Sequence, residues 1–305
     1  MKSVNIGIAA YNEAKTLKIM LKYLEKSLNS LNKTIKPKIN ICLNGCNDNT
    51  LDVLLKIKES YSFPIKILYS KKGKLCAHKK IIKRINNSYP ILFMDADVLV
   101  PAETIKNLIL ELNNNSDTYI VSAYPFVLKD NSLGIYRNLM YYTLNLRRII
   151  PKIEISKEDV SEFHPNTKDE FEKKSRIYFH GRCFIIRSKE VYKFPRKESK
   201  IRGDDTFLSF ITLKNKPRGA IKVLFNSPVY SYPTLSLRDY LVTWYRIRKD
   251  LDHIYSEHPE FLELKKKTEM RPNWIYIIRE LNFSYKLYCL LFFLLKRFES
   301  LSYRI

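Results

Sequence analysis

Apolar residues follow two alternating spacings over roughly the first 125 residues of the chain. Val4, Ile6 and Ile8 lie two apart, which is the period of a strand with a buried face. The next apolar residues recur at three and four, which predicts one face of a helix: Leu17, Met20, Leu21, Leu24, Leu28 and Leu31. A strand followed by a helix is therefore the first pair of elements that the chain predicts.

This alternation continues along the first part of the chain. Further strands are predicted at 39–43, 65–69 and 91–94, and helices are predicted from Thr50, at 75–86 and at 102–113. Strands that alternate with helices predict a parallel sheet with crossover helices, a Rossmann-like nucleotide-binding unit. The segment contains neither G-x-G-x-x-G nor a P-loop, which argues against a dinucleotide-binding or ATP-hydrolysing role.

Beyond Thr118 the pattern is less regular. We predict a strand at 118–123, a helix at 134–150, strand character at 178–187 and a helix that starts near 202–208. The polar stretch 156–175 is long enough for a loop that closes over a substrate, and an idle surface excursion fits it equally well. After the prolines at 228 and 233, the rest of the chain is predicted to form helices rich in basic and aromatic residues.

The composition limits which class of protein this is and which kinds of partner it binds. The 305 residues are 45% hydrophobic and 13% aromatic, a globular composition, and carry a formal charge of +23. Such a charge favours an anionic partner: nucleic acid, an acidic membrane face or a phosphorylated substrate.

The five scattered cysteines predict free thiols in a reducing compartment, and Cys42 and Cys46 lack the second Cys/His pair that a zinc site needs.

The two ends of the chain bear on its location. The start leads directly into a strand pattern without a signal peptide, which predicts a cytoplasmic protein, and the longest apolar run, 287–295, is shorter than a membrane span. The tail 274–298 mixes apolar, aromatic and basic residues. It fits either a helix docked on anionic lipid at the inner face of the plasma membrane or a helix packed on the protein core.

Two acids directly follow the predicted strand 91–94. Asp95 and Asp97 are two residues apart, so on extended backbone both carboxylates would face one side. Ligands of open α/β sheets bind where strands end, and a hard cation that carries phosphates needs few protein carboxylates. We therefore predict a divalent-cation site here, with a solvated turn as the alternative.

Four segments in order resemble glycosyltransferase family 2, the inverting GT-A-fold enzymes that use nucleotide-diphosphate sugars. They are I-G-I-A-A-Y-N-E at 6–13, I-C-L-N-G-C-N-D-N-T at 41–50, G-K-L-C-A-H-K-K at 73–80 with F-M-D-A-D following at 93–97, and R-G-D-D-T-F-L at 202–208. The match covers roughly residues 3–210. The resemblance implies an α/β GT-A catalytic domain at 1–230, with a nucleotide-sugar-binding half at 1–125 and an acceptor half at 126–230, followed by a helical extension at 231–305.

The resemblance also implies roles for the acids. Asp97 would hold Mg²⁺ or Mn²⁺, which neutralises charge on the leaving diphosphate, and Asp95 would hold the ribose or share the metal. Asp205 matches the general base, which takes the acceptor proton on the face opposite the leaving group. Asp204 either assists this base or caps the following helix.

Binding residues follow from the same match. The donor-binding set is Ala10, Tyr11, Glu13, Asn44, Lys74, Asp95, Ala96 and Asp97, and the acceptor or diphosphate set is His180, Gly181, Arg202, Trp244, Arg246 and Arg248. Leu43 and Asn44 replace the family's acidic pair, so the donor could be a UDP- or a GDP-sugar. Thr243 to Arg248 lacks the Gln of the processive Q-x-x-R-W segment, which favours addition of a single sugar to a glycan or lipid-linked acceptor in the cell envelope.

Two other functions stay open at this stage. Gly203-Asp204-Asp205 together with Asp95 and Asp97 could hold two metals in a nucleotidyltransferase or polymerase acting on a polyanion. The upstream βα alternation does not resemble a polymerase palm, so we expect no nucleic-acid partner. A sugar-nucleotide-binding relative without catalysis is the second alternative, and the joint presence of Asp95, Asp97 and Asp205 speaks against it.

Overall fold

The computed structural model describes residues 3–31, 35–85, 88–129, 138–146, 149, 179–215, 220–233, 236–268 and 274–301. The predicted loop at 156–175 falls outside the described residues, and the predicted helix at 134–150 is helical where it is described, at 138–146 and 149. The chain divides into two compact units: Met1–Pro125 with Ile177–Tyr230, and Phe126–Arg176 with Ser231–Ile305. The predicted division into a catalytic domain at 1–230 and an extension at 231–305 stays a prediction, since residues 126–176 belong with the second unit.

In the described part of the chain, the sheet contains eight strands: β1 Ser3–Ala10, β2 Lys36–Asn44, β3 Ile65–Ser70, β4 Ile91–Asp95, β5 Val98–Leu99, β6 Ile120–Val127, β7 Cys183–Ile186 and β8 Ile221–Ser231. Their order across the sheet is β3-β2-β1-β4-β7-β6-β8-β5. Strands β1 to β4 are mutually parallel where they pair, and β7 runs antiparallel to both β4 and β6. The predicted parallel order of the first half is thus confirmed.

Helices cover the sheet in the first unit. They are α1 Leu17–Asn29, α2 Thr50–Ser60, α3 Lys74–Arg84, α4 Thr104–Asn114 and α5 Asp204–Asn215, with one 3₁₀ turn at Lys189–Val191. Every residue of the predicted α1 face is buried, and all eight residues of β1 are buried, as is typical of a central strand in a parallel sheet whose faces are covered by helices. A Cβ on Gly7 would come within 2.9 Å of Ile81 Cγ2, so glycine in β1 allows α3 to pack directly on the strand.

The second unit contains the helices predicted for the C-terminal extension: α6 Leu237–Glu257, α7 Pro259–Thr268, α8 Trp274–Glu280 and α9 Phe283–Leu301. The hydroxyl of Ser236 caps α6 by accepting a hydrogen bond of 3.1 Å from the backbone N–H of Asp239. One buried cluster joins Leu146 to residues of α8 and α9, among them Ile277 and Phe292. Within the described residues, no helix has the length and apolar content needed to span a bilayer.

Candidate active site

The chain turns directly after β4, at the predicted cation site. Strand β4 ends at Asp95, and Ala96 and Asp97 form the turn before β5. The assumption of extended backbone through Asp97 is therefore wrong, because the strand stops two residues too early. Burial raises the pKa of Asp95, and the Asp97 carboxylate raises it further by a smaller amount. The two carboxylates are therefore still close enough to interact.

The Lys74 ammonium lies between the two groups of acids that the sequence singled out. Its Nζ is 2.7 Å from Asp95 Oδ1 and 3.6 Å from Asp204 Oδ2, and it donates a hydrogen bond of 2.9 Å to the Gly181 carbonyl. Burial lowers the pKa of Lys74, but the carboxylates of Asp204, Asp95 and Asp205 outweigh this and raise it. One permanently charged ammonium thus ties the end of β4 to the start of α5.

The predicted base, Asp205, is held by two backbone N–H groups. Gly181 N donates to its Oδ2 at 2.9 Å, and Thr206 N donates to its Oδ1 at 2.8 Å. Its position in the first turn of α5 places a carboxylate at the positive end of the helix dipole. A half-exposed carboxylate held in one orientation can accept a proton from a ligand hydroxyl.

The neighbouring Asp204 occupies a different environment. Only 6% of the residue is exposed, and its Oδ2 has no hydrogen-bond partner among the described residues. Burial raises the pKa of Asp204 to about 7; Asp205 and Asp95 add to the rise and Lys74 opposes it. The two adjacent acids therefore differ in their environments, since Asp205 is partly exposed and Asp204 is buried.

Two buried residues that the sequence analysis missed lie beside Asp204. His78 Nδ1 is 2.7 Å from the Tyr192 hydroxyl and 3.4 Å from Asp204 Oδ2. His78 lies four residues after Lys74 on α3, so helical spacing alone placed the two side chains on one face. No pattern in the chain marks Tyr192, which comes from a segment 114 residues away.

The loops after β1 and β2 are tied together at the predicted donor-binding end. Asn12 adopts a left-handed φ of 57°, and its side chain exchanges hydrogen bonds of 2.6 Å and 3.0 Å with the side chain and backbone of Asn47. Asp48 accepts from Thr50 N at 3.1 Å, the local turn-forming role that its position favours. These contacts fix the backbone on which Tyr11 and Glu13 lie.

Glu13 is the third acid of this end. It accepts a hydrogen bond from the Thr16 hydroxyl, while its backbone N–H donates to Thr50 Oγ1 at 2.8 Å. Burial raises the pKa of Glu13 to about 7, with Thr16 opposing and the Asp97 and Asp95 carboxylates adding to the rise. Glu13, Asp95 and Asp97 thus concentrate negative charge where a cation would relieve it.

The remaining donor candidates differ in accessibility. Lys72 Nζ lies 4.5 Å from the centre of the Tyr11 ring, so an aromatic face and a positive charge are presented together. Asn44 ends β2, is 4% exposed, and its Oδ1 has no partner in the described part of the chain. Ala10 and Ala96 are buried at 0% and 2% exposure and offer no surface to a ligand.

The acceptor candidates are divided between the two units. In the first, the His180 ring lies 5.9 Å from that of Tyr124, and Arg202 Nη1 donates to the Ser199 and Ile201 carbonyls at 3.0 Å each. Trp244, Arg246 and Arg248 lie on α6 of the second unit, where Trp244 packs on a cluster of Met140 and Tyr240. Their acceptor or diphosphate role stays a prediction.

The residues at the end of β4 fit a divalent cation that brings most of its ligands with it. Within the described residues, no group of three or more His, Cys, Asp and Glu side chains converges as a protein metal cage. Asp97 is 42% exposed and has one long contact, 3.9 Å from Oδ2 to Arg182 Nη1. Mg²⁺ and Mn²⁺ sites that hold phosphates use one or two carboxylates, which Asp97 and Asp95 can supply.

A family model gives the class of this protein. The model described as glycosyl transferase family 2 matches residues 5–194, and the chain belongs to this family. The family resemblance and the predicted GT-A fold, an α/β domain followed by helices, are both confirmed. The matched range contains Lys74, Asp95 and Gly181 but ends before Asp205.

Curated relatives match a shorter part. Poly-beta-1,6-N-acetyl-D-glucosamine synthase of Staphylococcus aureus strain COL is 25% identical over 151 residues, which are 47% of this chain and 34% of the relative. Strain MRSA252 has a synthase that matches equally well. The chain thus matches about a third of the length of these curated relatives.

Solved structures share the fold at low identity. TarS 1–349 of S. aureus in complex with UDP-GlcNAc gives a TM-score of 0.54 at 18% identity, covering 84% of this chain and 67% of that chain. The mannosyltransferase PcManGT from Pyrobaculum calidifontis in complex with GDP-Man and Mn²⁺ gives a TM-score of 0.57 at 15% identity, covering 85% of this chain and 64% of that chain. These likenesses extend the fold assignment beyond the range of the family match.

Proposed function

We propose that this protein is a metal-dependent, inverting glycosyltransferase that moves one sugar from a nucleotide-diphosphate donor to a hydroxyl acceptor. The observation that carries the proposal is the Lys74 ammonium, which contacts both Asp95 at the end of β4 and Asp204 at the start of α5. Lys74 also donates to the Gly181 carbonyl, and the Gly181 N–H holds the assigned base Asp205, so the donor acid and the base belong to one connected group that could act on the two sides of one sugar. Unrelated surfaces would not share one ammonium.

The donor end is assigned to the diphosphate. Asp97, with Asp95, would hold Mg²⁺ or Mn²⁺, which supplies positive charge for the departing phosphates. Tyr11 with Lys72 above its ring offers a surface on which a nucleobase can stack beside a positive charge. The Mn²⁺ and GDP-Man in the PcManGT structure, and the UDP-GlcNAc in the TarS structure, support a metal and a UDP- or GDP-sugar.

The acceptor end is assigned to Asp205. The acceptor oxygen forms a bond to the anomeric carbon while the bond from that carbon to the diphosphate oxygen breaks, and the hydroxyl proton passes to the Asp205 carboxylate. Because attack and departure occur on opposite faces in one step, the anomeric configuration inverts. The two N–H groups that hold Asp205 keep the accepting oxygen in place.

The acceptor itself is assigned by chemistry class. We infer a glycan or lipid-linked acceptor of the cell envelope, a role supported by the poly-N-acetylglucosamine synthases among the relatives. Addition of one sugar per binding event follows from the absent Q-x-x-R-W glutamine.

We also infer peripheral contact with an anionic membrane through α9. Phe283, Leu287 and Leu294 are spaced along one face of this helix and are 82%, 68% and 47% exposed, while Cys289 and Phe292 on another face are buried. Lys286 is exposed beside the stripe, and the chain carries a charge of +23. Apolar side chains flanked by basic ones favour the headgroup layer of an acidic bilayer.

Vesicle flotation tests the membrane contact. The full chain with Leu287→Ser and Phe283→Ser should lose binding to phosphatidylglycerol vesicles, whereas Leu110→Ser, which changes a 47% exposed leucine on α4, should bind as wild type does. Binding of the double variant at the wild-type level would contradict the assigned surface. Equal binding of wild type to neutral phosphatidylcholine vesicles would contradict the electrostatic part.

A nucleotidyltransferase is the second candidate, and the placement of its motif disfavours it. Asp204 and Asp205 begin helix α5 rather than lie on a hairpin between strands. Primer extension with nucleoside triphosphates is the assay for this candidate. We expect none.

A thermal-shift screen tests the donor assignment. Wild type with Mn²⁺ or Mg²⁺ should gain several degrees in melting temperature with one class of nucleotide sugar, because a ligand of the native state raises stability by mass action. Asp97→Ala should lose the metal-dependent part of the shift, and Asp52→Ala, an exposed acid on α2, should keep it. A shift that Asp97→Ala leaves intact would contradict the metal assignment.

A further inference from the structure

His78 and Tyr192 form a buried polar pair behind the candidate base. His78 is 0% exposed and Tyr192 is 4% exposed, and the His78 Nδ1 and Tyr192 hydroxyl are 2.7 Å apart. The imidazole ring lies among aromatic rings, with ring centres 4.4 Å from Phe93 and 5.5 Å from Tyr192. Burying two polar groups in an aromatic core is costly, so the placement of His78 Nδ1 3.4 Å from the Asp204 carboxylate calls for a role.

Both members of the pair stay neutral in this environment. Burial, with help from the Lys74 charge, lowers the pKa of His78 well below its usual value. Burial and the carboxylates of Asp204, Asp205 and Asp95 raise the pKa of Tyr192 well above its usual value. The imidazole therefore carries one proton, and the phenol keeps its own.

Two contacts of Nδ1 bear on which imidazole nitrogen carries that proton. The Tyr192 hydroxyl, 2.7 Å away, can donate to a bare Nδ1 or accept from a protonated one, whereas the Asp204 Oδ2, 3.4 Å away, repels a bare lone pair when the carboxylate is ionised. A proton on Nδ1 turns this contact into an attraction. The opposite nitrogen, Nε2, has no partner in the described residues, so nothing there holds the proton.

Asp204 in turn lies next to the network that holds the base. Lys74 contacts Asp204 and donates to the Gly181 carbonyl, and the Gly181 N–H donates to Asp205. An ionised Asp204 helps to fix Lys74, and Lys74 helps to fix the backbone that holds the base. A protonated Asp204 would release part of this hold.

We propose that His78 and Tyr192 are positioning residues for the transfer reaction, which keep Asp204 ionised against Lys74 so that Gly181 holds the Asp205 base in place. This inference rests on the proposed function. The titratable groups that face Asp204 are Lys74 and His78 from α3, Tyr192 after the 3₁₀ turn, whose hydroxyl donates a hydrogen bond to Asp204, Asp205 from its own helix and Asp95 from β4. Of these, His78 and Tyr192 are neutral, so they act on Asp204 through dipoles and hydrogen bonds alone.

The pH dependence of transfer tests the role of the pair. Removing Tyr192 or His78 takes a polar partner from the ionised form of Asp204, and loss of such a partner favours the protonated form. Tyr192→Phe and His78→Leu should therefore move the acidic limb of kcat/KM to higher pH by about half to one unit, with a loss of about three- to tenfold below that limb. The donor KM should stay within about twofold.

A matched variant separates this role from a general loss of packing. Tyr61 is another largely buried tyrosine whose hydroxyl makes one hydrogen bond, 2.8 Å to the Leu21 carbonyl. Tyr61→Phe should leave the pH profile unchanged even if the melting temperature falls. A Tyr192→Phe or His78→Leu profile that overlays that of wild type would overturn the proposal.

Imidazole ¹⁵N NMR tests the same contact without any turnover. The His78 signals, assigned by their loss in His78→Leu, should show a neutral ring protonated on Nδ1 from pH 6 to 9, and Asp204→Asn should shift the Nδ1 signal. A ring protonated on Nε2, or one that Asp204→Asn leaves unchanged, would overturn the proposal. Failure of wild type to transfer any sugar would count against the proposed function, and the NMR result would still decide the His78–Asp204 contact.

Discussion

The backbone N–H of Gly181 donates a 2.9 Å hydrogen bond to Oδ2 of Asp205, and no side chain lies between the two residues. A Cβ at position 181 would come within 3.0 Å of the Asp205 Cβ and 3.1 Å of its Oδ2. Position 181 therefore requires glycine because its backbone lies so close to the Asp205 side chain. A left-handed backbone conformation is not the reason, since Gly181 does not adopt one. The acid assigned as base can be moved by changing a residue that has no chemistry of its own.

Gly181→Ala should reduce transfer without weakening donor binding. The added methyl group must push the Asp205 carboxylate aside, and a misplaced base costs on the order of ten- to a hundredfold in kcat. Steady-state kinetics and calorimetric donor titration measure the two quantities separately. Wild-type kcat in a folded Gly181→Ala protein would show that Asp205 does not need this position.

Lys74→Met should be far more damaging than the loss of a surface lysine. It removes the cation between Asp95 and Asp204, which leaves two carboxylates close together in a buried setting. Transfer should fall by at least about a hundredfold, since both the donor end and the base lose an anchor. Lys83→Met, which changes an exposed lysine on the same helix, is the control and should retain activity.

Asp204→Asn should stabilise the protein, and more so at alkaline pH. The folded protein holds the pKa of Asp204 at about 7, above the ordinary 3.8, so the folded state binds the proton more tightly than the unfolded state. Stability is then highest below about pH 4 and falls as pH rises toward 7, by roughly 2–4 kcal/mol for this group. Urea unfolding at pH 5 and pH 8.5 should show a larger gain for Asp204→Asn at pH 8.5, and a gain only at pH 5 would contradict the assignment.

The strands and helices of the first unit were predictable because their apolar periods are local. The α1 face from Leu17 to Leu28 and the strand at Val4 to Ile8 needed only spacing. The turn at Asp97 was only the alternative to extended backbone, because two-residue spacing cannot show where a strand stops. Strand β5 follows at once and is only two residues long.

The acids of the site were predictable from motifs, and their connections were not. Asp95 and Asp205 stand in recognisable segments, yet the contact between Lys74 and Gly181 joins residues 107 apart in the chain. His78 lies in the quoted segment 73–80 without a role assigned to it, and Tyr192, 114 residues away, lies in no motif. Tertiary contacts of this kind depend on how α3, β7 and α5 pack together, which no local pattern records.

The most direct test of the account is donor binding and transfer measured together on Asp205→Asn. The asparagine keeps the shape of the side chain and loses the basic oxygen, so the nucleotide sugar should bind with metal at wild-type affinity while transfer falls by about a hundred- to ten-thousandfold. Transfer near the wild-type rate by Asp205→Asn would contradict the account, and so would loss of donor binding in place of catalysis.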